Sequence, residues 1–177
     1  MTFARILVAL DQSELRETIF LRSLTFAQAC QGSLHLLHVL SPSFLGDPGF
    51  SSASTTFSDL GTYPTFVDPT IWQQQNQAQT EQAAAWLGQY CQTALDQGIE
   101  ASFSYPTGEA GHEICQAATD WSADLVVVGR RGRSGLAEAI MGSVSQSVLH
   151  HAPCDVLVIQ SLEIAAAPLQ QSESEGD

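Results

Sequence analysis

The chain has 177 residues, 44% of them hydrophobic and 14% charged; this suits one domain with its own core and is too apolar for a disordered chain. Its 19 acids and 6 bases leave a formal charge of −13, which argues against a general binder of nucleic acid, since that affinity comes from neutralising phosphates. All six bases are arginine, so a Schiff-base lysine, the strand lysine of a kinase and the Walker A phosphate loop are excluded.

The first strand is expected over residues 4–10, an aliphatic and β-branched run that ends at Asp11. It is too short for a signal-peptide core and lacks a cleavage site after it. No apolar run reaches the roughly 20 residues of a membrane span, so the chain is expected in the cytoplasm, away from any membrane. A helix follows over residues 14–30, with Leu15, Ile19, Phe20, Leu24 and Ala27 on one face. Residues 34–40 form a second strand. The stretch from Ser41 to Thr70 is rich in Ser, Thr, Gly, Pro and Phe without periodicity. A loop of that length is uncommon in a compact domain, and reads as a lid or as a disordered insert.

Helical periodicity returns over residues 80–95, on Ala83, Leu87, Tyr90, Cys91, Ala94 and Leu95. Residues 101–105 alternate more weakly, which suits an edge strand. A third helix spans 109–121, and Leu125 to Val128 is a fourth strand. A last helix opens near Ser143 and stops at His150, His151 and Pro153. Val156 to Ile159 closes the set. The domain thus covers residues 1–160, and residues 161–177 form an acidic, mobile tail. Strands apolar on both faces, alternating with helices, predict an α/β doubly wound parallel sheet with helices on both sides. Ligands of such sheets bind beyond the carboxyl ends of the strands, where strand order reverses.

Cys30, Cys91, Cys115 and Cys154 are far apart in sequence, and read as buried reduced thiols. His35 and His38 read as core or edge residues, and His112 as a helix-surface residue.

The chemistry lies after the fourth strand. Gly129-Arg130-Arg131-Gly132 is followed, after nine intervening residues, by Gly142-Ser143-Val144-Ser145. Without a Cβ, Gly129, Gly132 and Gly142 let backbone amides approach a ligand closely. Ser143 suits the N-cap of the following helix, whose free amides and dipole favour an anion. The hydroxyls of Ser143 and Ser145 can add hydrogen bonds. Arg130 or Arg131 supplies a cation able to hold phosphate bidentately. Asp11 ends the first strand, where it can serve as a helix-terminal acid with Ser13 as a rival cap, or bind a ribose hydroxyl, an adenine amino group or Mg²⁺. Ala9, Val39 and Val128 can line an apolar slot for a base, or close it by core packing.

These residues resemble the universal stress protein family. The likeness runs from Phe3 to Gln160 and is densest over residues 123–132 and 141–148. The Gly-x2-Gly-x9-Gly-Ser spacing resembles that family's ATP-binding branch. The resemblance implies strand order 3-2-1-4-5 and a homodimer whose last strands, from Val156 to Ile159, pair antiparallel across a two-fold axis. It implies that Asp11 and Val39 contact adenine or ribose. Val128, Gly129, Arg131, Gly132, Gly142, Ser143, Val144 and Ser145 would surround ribose and phosphates, often with Mg²⁺ or Mn²⁺. The implied ligand is ATP, AMP, ADP or a cyclic nucleotide, and the implied role is regulatory signalling in stress rather than catalysis. A nucleotide-dependent enzyme of the same superfold and a nucleotide-free interaction protein are the alternatives.

Overall fold

A computed structural model describes residues 3–41, 69–130 and 141–160, with side chains from residue 76 onward in the second segment. Most of the insert, the acidic tail and the stretch that holds Arg131, Gly132 and Arg133 lie outside the described residues.

Among the described residues nine elements alternate: β1 (Arg5–Ala9), α1 (Arg16–Cys30), β2 (Ser33–Leu37), α2 (Pro69–Asp96), β3 (Ala101–Ser104), α3 (Ala110–Asp120), β4 (Leu125–Gly129), α4 (Ser143–His151) and β5 (Asp155–Ile159). The strands form a parallel five-stranded sheet of order β3-β2-β1-β4-β5. Expected architecture and strand order agree with this sheet, and β3 is at an edge. The chain builds outward from β1 to β3, then crosses back to lay β4 on the other side of β1. β1 and β4 therefore flank the point where strand order reverses.

The two-residue period of the strands divides the core. Ile6, Val8, Leu34, Leu36, Leu125 and Val127 face one side, where they pack with Ile19, Phe20 and Leu24 of α1 and with Leu87, Cys91 and Ala94 of α2. Leu7, Leu37, Val126 and Val128 face the other, against Ile114 and Ala118 of α3 and Val148 of α4. Both faces are covered, which is why the strands read as unbroken apolar runs.

Three local expectations are corrected. β2 ends at Leu37, not at residue 40; Leu40 makes an isolated parallel bridge with Thr107 instead. α2 begins at Pro69, well before the expected start at residue 80. Gln and Ala are good helix formers and need no apolar stripe where a helix is unpacked; residues 76–79 are exposed. None of the four thiols is in a disulfide, and only Cys91 is buried as expected; Cys30, Cys115 and Cys154 are half-buried. Burial pushes the thiols of Cys91, Cys115 and Cys154 upward, away from the reactive thiolate.

Among the described residues no helix is long and apolar enough to cross a membrane.

Candidate functional site

A cleft of about 300 Å³ opens at the carboxyl ends of β1, β2 and β4. Nine sequence-predicted residues line it: Ala9, Asp11, Val39, Val128, Gly129, Gly142, Ser143, Val144 and Ser145. Arg131 and Gly132 lie outside the described residues. Leu10, Ile19, Leu37, His38, Ser41, Ala110 and Ile114 also line the cleft and were missed. Their only signal was membership of a strand run, a loop or a helix stripe, which does not say which end of an element meets a crevice.

The strand geometry places the apolar wall. Ala9, Val39, Val128 and Val144 all pack against the core on the α3–α4 side of the sheet. Alternation brings these side chains to one face, and Ala9 is short enough to leave room above it. Ile114 of α3 closes this side.

The polar floor comes from the turn into α4. Arg130 N–H donates to the Ile159 carbonyl at 2.6 Å, and Gly142 N–H to the Arg130 carbonyl at 2.9 Å. Gly142, extended at φ −63° and ψ 150°, is the N-cap, and no side chain caps the helix. The expected Ser143 cap is therefore corrected: Ser143 is the first helical residue. Glycine has no side chain to cap with, so the first amides keep their hydrogen-bonding capacity. The N–H groups of Ser143, Val144 and Ser145 precede the first intrahelical donor, Gln146, which reaches the Gly142 carbonyl at 2.9 Å. All three residues line the cleft. The positive end of the helix dipole lies there as well.

Ser145 is buried, and its hydroxyl donates to the Gly129 carbonyl at 2.5 Å. Its proton is committed within the protein, so its side chain ties α4 to the end of β4 rather than donating to a ligand. That narrows the role expected from its sequence. Arg130 turns its guanidinium to the Gln160 side-chain carbonyl, Nη1 to Oε1 at 3.1 Å.

Asp11 sits across from this floor. Its Oδ1 accepts from Ser13 N–H at 3.1 Å and from the Ser13 hydroxyl at 2.5 Å. It does not cap α1, whose N-cap is Leu15 with no side-chain bond. The carboxylate is held by its own turn, and Oδ2 accepts nothing among the described residues. No group of three metal-ligating side chains occurs among the described residues. Among the described residues a cation here would have one carboxylate, with further oxygens to come from a bound phosphate.

His35 is remote from the cleft. Its ring lies 2.8 Å from both the Ser102 and Ser104 hydroxyls on the neighbouring edge strand. Burial holds its pKa below the ordinary histidine value. His38 is buried, with Nδ1 donating to the Leu10 carbonyl at 2.8 Å.

The chain resembles known proteins along most of its length. It is 32% identical to universal stress protein Sll1388 of Synechocystis sp. over 166 residues, covering 90% of this chain and 99% of that protein. Universal stress protein UspA from Lactobacillus plantarum superposes with a TM-score of 0.71 at 23% identity, over 90% of this chain and 99% of that one. A universal stress protein from Archaeoglobus fulgidus, solved in complex with dAMP, superposes with a TM-score of 0.55 at 20% identity, over 90% and 99% of the two chains. With the universal stress protein family model matching residues 2–160, this chain belongs to that family.

Proposed function

We propose that this protein binds an adenine nucleotide in the cleft between β1 and β4 and acts as a dimeric regulatory module in the cytoplasm. The observation that carries the reading is the uncapped start of α4: three successive amides and a helix dipole open into a cleft at the strand-order reversal. In this reading phosphates sit on the amides of Ser143, Val144 and Ser145. Gly129 and Gly142 let the ligand approach the backbone, and Gly132 does the same in the intervening loop. Arg131 supplies the guanidinium. The base lies along Ala9, Val39 and Val128, and Asp11 accepts from a ribose hydroxyl or the adenine amino group. The A. fulgidus relative, with its dAMP, supports the adenine class.

The net charge of −13 opposes a polyanion. Exposed charges beyond the Debye length of about 8 Å are largely screened in physiological salt. A hydrogen bond to a charged group contributes about 1.5–3 kcal/mol, so several local bonds outweigh the diffuse repulsion. ATP, AMP, ADP and cyclic nucleotides share the features read here. Mg²⁺ would arrive with the phosphates and, among the described residues, take Asp11 from the chain.

Isothermal titration with ATP, with and without Mg²⁺, tests the reading. Saturable binding is expected, weakened about tenfold by Asp11→Ala, the worth of one hydrogen bond to a charged group. No binding at millimolar ATP would reject it.

A further inference from the structure

We infer that His38 is a positioning residue for the nucleoside end of the cleft: its ring braces the strand end that carries Asp11. The inference rests on the nucleotide reading above and adds a residue to it.

β1 and β2 pair in register as far as Ala9 and Leu37, and Leu10 N–H still reaches the Leu37 carbonyl at 2.8 Å. The next rung of a parallel ladder would be accepted by the Leu10 carbonyl. That carbonyl is taken instead by the His38 ring, with Nδ1 at 2.8 Å. A carbonyl oxygen only accepts, so Nδ1 carries the proton. The imidazole is 6% exposed, and the Trp86 ring of α2 meets it edge-on with centroids 5.1 Å apart. Packing and hydrogen bond together fix its orientation.

A ligand can enter between two paired strands only where they part, and strands that part lose the ladder that aligns them. His38 answers both needs. Its ring replaces a backbone rung with a longer connection, so Leu10 stays tied to Leu37 through its N–H and to the adjoining His38 through its carbonyl. The next residue is Asp11, whose Oδ1 is fixed by Ser13. His38 lines the same cleft as Asp11 and Val39. Loss of the ring's donor would free the Leu10 carbonyl and let the Asp11 turn drift.

The test is a double-mutant cycle read by ATP titration calorimetry, with melting temperatures in parallel. His38→Ala is expected to weaken ATP binding about tenfold, as loss of the Asp11 contact would. In the Asp11→Ala background the same change is expected to have less than about a twofold effect, because the brace then has nothing to position. His38→Asn places an amide N–H close to the position of Nδ1, and should restore affinity to within about threefold; His38→Gln places it farther out and should not. The Asn and Gln variants decide the matter if His38→Ala does not fold. Additive effects in the cycle, or equal affinities for the Asn and Gln variants, would overturn the inference while the nucleotide reading stands. Failure of the unsubstituted protein to bind ATP would overturn both.

Discussion

Ser145 donates its hydroxyl to the carbonyl that ends β4, and by doing so sets where the first amides of α4 stand. Ser145→Ala is expected to cost about 1 kcal/mol of stability, since a part-buried carbonyl loses its partner. It should also weaken nucleotide binding several-fold through displacement of the helix start. Urea denaturation and ATP titration of the same variant would check both, and unchanged affinity would show that the amides hold their place without it. At this scale the places of Gly129, Gly142 and Asp11 beside the cleft were legible, because chain spacing alone puts them after strands and before a helix. His38, Ala110 and Ile114 were not. Each sits in a run or stripe that reads as core, and only the crossovers bring that end of β2 and the first turns of α3 beside the cleft.

The helices differ in how their first turns are satisfied. α4 has no side-chain cap and opens into the cleft. α3 is capped by Glu109, whose carboxylate accepts from Gly111 N–H at 3.0 Å and His112 N–H at 2.7 Å. Those two backbone donors hold the Glu109 carboxyl below its ordinary value of 4.5, the partial burial that opposes them being the smaller effect. Because the folded pKa is the depressed one, the cap stabilises fully above the unfolded value. Its contribution is lost as pH falls through the still lower folded value. Glu109→Ala should therefore cost up to about 1 kcal/mol at neutral pH, and the gap to the unsubstituted protein should close in acid. Denaturation midpoints at pH 7 and pH 3 would measure it, and a gap independent of pH would reject the cap's charge as its cause. The cap at Glu109 was not legible, since glutamate is a poor cap by type; nearby amides, not propensity, select it. The length of α2 was illegible for a related reason. Its early turns carry no apolar stripe to read, and their composition alone does not separate an unpacked helix from a polar loop.

Across the whole molecule the topology was the most legible feature. Strands buried on both faces require helices on both sides, and that leaves few connections for five strands. The order 3-2-1-4-5 itself came from the family resemblance. Among the described residues it leaves β5 as an open edge beside β4, with Leu157 37% exposed on it. An open edge offers unpaired backbone groups to another strand. The proposed homodimer would form by antiparallel pairing of two β5 strands. Light scattering should then give twice the chain mass at micromolar concentration, and Leu157→Lys should shift the population to monomer by setting like charges near each other across the two-fold axis. A monomer before substitution would remove the dimer from the proposed function.

α2 is 28 residues long, about 42 Å at 1.5 Å per residue, whereas the five residues of β2 span about 17 Å. Ala83, Leu87, Cys91 and Ala94 anchor its second half in the core, while residues 76–79 are exposed. The helix runs antiparallel to the strands, so its exposed residues 76–79 stand toward the same rim on which the cleft opens. One continuous rod thus joins an exposed stretch to an anchored one, with Trp86 between them against His38.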